Sequence, residues 1–327
     1  MQVESLIEMT KGVLNDTCTV ESIYSATVHL SNVGEGSLFI SDSQEEIDTA
    51  IKQGAGALLY ADETIMIGDD TLAWIKVADI QEAAFAITRD VVGEDEATFY
   101  YFTAHELAFL KMIQKRKSDI EVLSSDWKSV FERVLNSSKK IFIGTDLELM
   151  RSLRPKARRL VKEVDGYVIS DTLFRSTFKV EKYVYQHKEL VPFHLDHILK
   201  VVAFCQEHSF EYAIENIRYI PKFTPLFIEG EPGINEQTKN DRTVILCDNL
   251  EDIVQARFYI VAPSAWVVKS IVLTPPKTKV DGVKRPTYYT STEDVLDVLK
   301  GANFNYAFIY TKENDIKKAI QEAYELF

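Results

Sequence analysis

Side chains suited to acid–base or metal chemistry gather at two helix starts. His194, Asp196 and His197 form one compact polar cluster, and imidazole with carboxylate can shuttle protons or bind a cation. On a helix, positions i, i+2 and i+3 do not converge on one point as i and i+4 do, and an acid at a helix start is favoured electrostatically. The spacing therefore predicts a structural cluster and no metal centre. His105-Glu106 opens a second helix, whose N-terminal N–H groups would suit a remodelled anion or acid–base site. The simpler expectation there is a surface helix start with an acidic first turn. His105, Glu106, His194 and Asp196 are thus the candidate catalytic groups. Asp248-Asn249 with Glu251 and Asp252 reads as a helix N-cap and first turn, with a Mg²⁺ corner as the alternative.

A third grouping is basic. Arg151, Arg154, Lys156, Arg158, Arg159 and Lys162 place six cations and no acid within residues 151–162. Such a patch can grip a nucleotide diphosphate, RNA or an acidic partner, or it can be a solvated helix face. Thr103, Arg151, Arg154, Arg158 and Arg159 are the candidate ligand-binding residues. The whole chain carries 37 basic against 50 acidic side chains, a formal charge of −13, which disfavours general nucleic-acid coating. The neighbouring sequence also lacks the interleaved aromatics of a single-strand platform. The pairs Tyr100-Tyr101 and Tyr288-Tyr289 are of strand type and are explained by core and edge contacts. Cys18, Cys205 and Cys247 lie too far apart for a zinc knuckle or a disulfide framework, which suits a reducing, cytoplasmic setting. Met1-Gln2-Val3-Glu4-Ser5 offers no basic leader, and no stretch nears the roughly 18 apolar residues of a membrane span. No membrane partner is expected.

These groups need a framework, and 327 residues suggest two or three domains. Residues 1–95 read as a small β-α-β-β-α unit: strands at 37–41, 57–60 and 73–77 alternate with helices, the first capped by Ser43 and ended by Gly54. Residues 96–241 open with a strand at 98–102 and a helix from His105 to about Lys117. They continue through strands at 140–144, 167–170 and 178–180 to a long helix at 194–208. Residues 242–327 carry strands at 243–247, 259–261, 271–274 and 306–310 with helices at 291–299 and 314–324. Ile234–Asp241 is a polar linker candidate.

In this order several segments resemble the Mur ligase family, which adds amino acids or dipeptides to UDP-N-acetylmuramic acid, and most closely its D-alanyl-D-alanine-adding branch. Val33-Gly34-Glu35-Gly36-Ser37-Leu38-Phe39-Ile40 is similar to the family's V-x-P-G-D-L-F-V. Residues 50–58 are similar to its A-I-x-x-G-A-x-A-V, and Val191-Pro192-Phe193-His194 to its L-P-G-x-H-N. The resemblance implies an α/β, three-domain architecture with a shortened central domain that lacks the P-loop and a small Rossmann-like C-terminal domain.

The family's reaction, carboxylate phosphorylation by ATP followed by amine attack, needs a glycine-rich loop, a lysine and a hydroxyl around phosphate and Mg²⁺. Here the corresponding turn reads Phe102-Thr103-Ala104-His105-Glu106-Leu107, without glycine or lysine, and no G-x-x-x-x-G-K-[ST] occurs elsewhere. The family's adenine-contacting asparagines correspond to Leu195 and Ile198, and the arginine of its V-P-G-R to Phe223. The lysine of its K-G-S-R corresponds to the Tyr310-Thr311-Lys312 region, and its D-S-R to His29-Leu30-Ser31. The resulting expectation is a non-catalytic protein with a binding, scaffolding or regulatory role linked to peptidoglycan precursors. Neither ATP nor Mg²⁺ is expected as cofactor, and a UDP-N-acetylmuramyl peptide or a cell-wall enzyme is expected as partner. Two alternatives stand: an ATP-dependent ligase with a rebuilt site in an interdomain cleft, and RNA or acidic-partner binding through residues 151–162.

Overall fold

The computed structural model describes residues 1–15, 18–93, 97–116, 119–229, 241–261, 268–312 and 314–325. Contacts group the chain into two compact units, residues 1–103 with 117–160 and residues 104–116 with 161–327.

The first unit opens with helix α1 (Val3–Thr10) and strands β1 (Val13–Leu14), β2 (Ala26–Thr27), β3 (Leu38–Ile40), β4 (Ala57–Tyr60) and β5 (Ala73–Lys76). They form one sheet in the order β1-β5-β4-β3-β2, parallel except for β1. Strands β3 and β4 are buried at every position, as continuous apolar runs in a parallel sheet must be. Alternate residues divide between two cores: Leu38, Ile40, Leu59 and Ile75 face α1 and α3 (Ile80–Val92), while Phe39, Leu58 and Trp74 meet α2 (Gln44–Lys52). Ser43 caps α2 by accepting from the Glu46 N–H, and Gly54 leaves the helix at φ +98°. A Cβ on Gly56 would come within 3.1 Å of the Gly36 Cα, so this crossing of two backbones favours glycine.

A second sheet in the same unit comprises β6 (Thr98–Tyr101), β7 (Ile120–Val122), β8 (Ile141–Gly144) and β9 (Arg158–Arg159), all parallel, in the order β7-β8-β6-β9. Between β6 and β7 the chain makes α4 (Ala104–Ile113), which groups with the second unit. Helices α5 (Trp127–Asn136) and α6 (Leu147–Leu153) cover Phe99 and Phe142 with Val130, Val134, Leu149 and Met150. Phe131 of α5 is fully buried in the core of the first sheet.

The second unit contains α4 and an antiparallel meander of β10 (Gly166–Asp171), β11 (Ser176–Val180) and β12 (Tyr183–Lys188). A short 3₁₀ turn over Pro192–His194 then leads into α7 (Leu195–Glu207). The last sheet has the order β13-β14-β17-β15-β16, formed by β13 (Phe223–Glu229), β14 (Arg242–Cys247), β15 (Ser270–Thr274), β16 (Thr287–Tyr288) and β17 (Tyr306–Tyr310). Strand β13 is antiparallel and the others parallel. Helices α8 (Leu250–Val261), α9 (Thr292–Gly301) and α10 (Asn314–Ala323) follow β14, β16 and β17.

One expectation is corrected here, and one strand was not foreseen. Residues 259–261, expected as a strand, are the last turn of α8: Ile253, Ala256 and Ile260 are buried at helical spacing, and that periodicity outweighs the local β-type composition. Strand β12 was not expected, because Tyr183–Lys188 is mostly exposed and polar. The polar linker candidate Ile234–Asp241 lies outside the described residues except for Asp241. No helix among the described residues is long and apolar enough to cross a membrane.

Candidate functional site

The start of α4 buries two ionisable side chains in the second unit's interior. Helix α4 buries His105, Glu106, Phe109, Leu110 and Ile113, an i, i+4 stripe that turns its first-turn polar residues inward with its apolar ones. His105 is 5% exposed and Glu106 3%. The surface helix start expected from sequence is therefore corrected, because the stripe set by Phe109 and Ile113 carries His105 into the core one turn earlier.

Two further elements meet these side chains. The 3₁₀ turn before α7 supplies His194, which is 2% exposed, and the first turn of α8 supplies Asp252, which is 4% exposed. His105 Nε2 lies 2.6 Å from Asp252 Oδ2, and His194 Nε2 lies 3.4 Å from Asp252 Oδ1. The His105 and His194 rings meet edge to face at 4.9 Å, and the His197 ring stacks on His105 at 5.0 Å. Glu106 Oε1 faces Lys200 Nζ at 3.4 Å and His197 Nδ1 at 3.6 Å. Phe109, Phe193 and Phe223 surround the His194 ring.

Burial sets the charge states. Desolvation lowers the pKa of His194, outweighing the opposing pull of Asp252, so burial disfavours the charged imidazolium. Burial alone would raise the pKa of Asp252, but the close hydrogen bond with His105 and the adjacent His194 ring hold it at about 2. His105, His194 and Asp252 each bring one donor atom, and these atoms lie within 4.8 Å of one another.

Asp196 does not join this cluster. Its side chain is largely exposed and pairs with Lys162 at 2.6 Å, as the i, i+2 offset from His194 dictates. The non-convergence expected from the spacing is what the structure has, and Asp196 as a candidate beside His194 is corrected: the acid that reaches His194 is Asp252, 58 positions further along the chain. Its sequence signal is a place in the acidic first turn of a helix that follows a buried strand, the stretch whose sequence reads as a helix N-cap or a Mg²⁺ corner.

The basic run divides among different structures. Arg151 on α6 pairs with Glu148 at 3.4 Å. Arg154 donates to the Gly93 carbonyl and lies over the Phe99 ring. Strand β9 places Arg158 opposite Tyr100 and Arg159 opposite Tyr101. The Arg158 guanidinium donates to the Tyr100 hydroxyl at 2.9 Å, and each arginine lies over its tyrosine ring at 5.2 and 5.4 Å. The reading of the run as one helix face does not hold, and aromatic neighbours absent from the adjacent sequence arrive by lateral strand pairing, from tyrosines 58 residues away. Thr103 is half-buried at the turn between β6 and α4, beside the fully buried Phe102.

A separate cavity of about 210 Å³ opens at the carboxyl ends of β14 and β17. Lys222, Lys312 and Lys317 line it together with Asp248, Thr311 and Asn314, and Lys222 forms an ion pair with Asp248. Such strand ends are where open α/β sheets take ligands.

No family profile and no curated protein sequence matches the chain. Solved structures do. MurF from Acinetobacter baumannii superposes with a TM-score of 0.53 at 9% identity, covering 98% of each chain. MurF ligase from Thermotoga maritima, solved in complex with ADP, gives 0.53 at 11% identity, over 92% of this chain and 97% of that one. A third structure, a D-alanyl-D-alanyl ligase from Acinetobacter baumannii acting on UDP-N-acetylmuramoylalanyl-D-glutamyl-2,6-diaminopimelate, gives 0.50 at 9% over 98% and 97%. The chain has a Mur-ligase-like fold. At such identities the likeness is one of architecture, and side-chain chemistry has to be argued from this chain's own residues.

Proposed function

We propose that this protein binds peptidoglycan precursors or an enzyme that handles them, and that it does not carry out ATP-dependent ligation. The observation that carries this reading is the buried state of His105 and Glu106 at the start of α4, with Asp252 against His105. A ligase of this fold would seat phosphate at that helix start on free backbone N–H groups and a lysine. A triphosphate there would meet the carboxylates of Glu106 and Asp252, and Lys200 is already engaged with Glu106. Placing further anions beside buried carboxylates is strongly unfavourable.

In the first unit, the residues on either side of the segment matching the family's nucleotide-sugar contact, His29-Leu30-Ser31, are tied to Glu132: the Val28 N–H, the Thr27 hydroxyl and the Asn32 amide all donate to it. The lysine-lined cavity of the second unit offers a surface suited to an anionic precursor or partner.

The test is thermal denaturation of the full chain with ATP and Mg²⁺, and separately with a UDP-N-acetylmuramyl tripeptide. ATP should leave the melting temperature unchanged, whereas a precursor at 100 times its Kd should stabilise the fold by about 2.7 kcal/mol. A shift with ATP, or ADP release in the presence of precursor and D-alanyl-D-alanine, would overturn the reading in favour of a ligase with a rebuilt site.

A further inference from the structure

We propose that His105, His194 and Asp252 form a binding site for a single divalent transition-metal ion of zinc type, with a fourth position left for water or an exogenous donor.

Three observations support the site. First, its donors come from three separate elements, α4, the turn before α7 and α8, and converge in the interior. A tetrahedral ion with bonds of about 2.0–2.1 Å needs donors about 3.3 Å apart. His194 Nε2 and Asp252 Oδ1 stand at 3.4 Å. His105 Nε2, now 2.6 Å from Asp252 Oδ2, would retreat by less than about 1 Å, within the freedom of a rotamer.

Second, His194 Nε2 is buried, points at the Asp252 carboxylate and has no hydrogen-bond partner among the described residues. A buried ring nitrogen without a partner is unfavourable, and an ion between it and the carboxylate removes that cost. Third, the shell is built like that of a metal centre. Phe109, Phe193 and Phe223 pack around His194, while His197 stacked on His105 and in contact with Glu106 fixes the second imidazole.

The donor set selects the ion. Two imidazoles and one carboxylate suit zinc and its neighbours, whereas Mg²⁺ and Ca²⁺ prefer oxygen donors alone. Three protein donors rather than four are the pattern of sites that keep a position for a small ligand. A zinc ion here is compatible with either outcome of the nucleotide experiment, so the two can fail separately.

The experiment uses the full chain without a polyhistidine tag, stripped with chelator, dialysed and titrated with zinc chloride alone. Elemental analysis and calorimetry should find one zinc per chain. Cobalt(II) should give the visible bands of a tetrahedral ion without a thiolate charge-transfer band. Asp252→Asn, which preserves shape, and His194→Gln should each weaken zinc binding about 100-fold or more, while His29→Gln in the first unit should bind as the wild type does. Circular dichroism and melting in chelator establish that each variant is folded, and the wild-type cobalt spectrum reads the site without any variant. Absence of stoichiometric zinc, unchanged affinity in both folded variants, or a thiolate band from Cys247 would each overturn the proposal.

Discussion

Two buried acids, one in each unit, make opposite use of their surroundings. Glu132 on α5 is saturated by neutral donors: the Thr27 hydroxyl, the Val28 N–H at 2.8 Å, and the Asn32 and Asn136 amides at 3.2 Å. Asp252 faces two imidazoles, one of which keeps an unpartnered nitrogen. Hydroxyls and amides that point at a carboxylate complete it and leave nothing to exchange, so Glu132 ties residues 27–32 to α5. Imidazoles can release a proton or accept a cation in its place, so the surroundings of Asp252 remain chemically unfinished. Burial of an acid alone therefore does not mark a site; the identity of its donors does.

The largest effect that would test this contrast is on stability. Glu132→Ala strands several buried donors at once and should cost about 3 kcal/mol in urea denaturation, whereas Asp252→Asn in chelator should cost clearly less. Equal losses would erase the distinction.

Acid should then separate the units. With metal removed, His194 is held below its usual pKa by burial. The unfolded chain binds a proton near pH 6.5 that the folded state refuses, so this contribution is complete above about pH 6.5 and is lost as pH falls through it. Asp252, held at about 2, contributes fully above its unfolded value of about 3.9 and loses that contribution between about pH 4 and 2. In the first unit, hydrogen bonds from Thr64, Thr71 and Ser129 lower the pKa of Asp62, Asp69 and Asp126, and these act only below about pH 4. Limited proteolysis between pH 7 and 3 should open the second unit first, and the reverse order would contradict the assignment.

The smallest effect is one of reactivity. Burial pushes the Cys205 thiol up to about 12 and the Cys247 thiol well above its ordinary value. Iodoacetamide should therefore modify the half-buried Cys18 first in the native protein. Equally fast labelling of Cys247 would mean that the interior around Asp252 is open.

Much of the framework was legible because it follows from local periodicity. The runs at 38–40, 57–60 and 306–310 could only be buried strands, and the Ser43 cap with Gly54 delimited α2. The Mur-ligase-like order of segments was also readable from short motifs. The site was legible in part. His105 and His194 carry chemistry at helix starts, but their meeting with Asp252 depends on the lateral placement of α4, α7 and α8, which no spacing along the chain encodes. Asp196 was favoured by proximity in sequence and turns outward on the helix. Arg158 and Arg159 similarly find their tyrosines through strand register, which is a tertiary property.

The first unit is assembled from residues on both sides of α4, with Phe131 and Glu132 arriving only after the chain has left for the second unit and returned. During synthesis the core of its amino-terminal sheet stays incomplete, covered by α1 and α3 but lacking Phe131, until α5 has emerged from the ribosome. Fragments cut after residue 103 should therefore be trapped by chaperones or aggregate, whereas an insertion in an exposed loop such as 67–70 leaves the order of assembly intact.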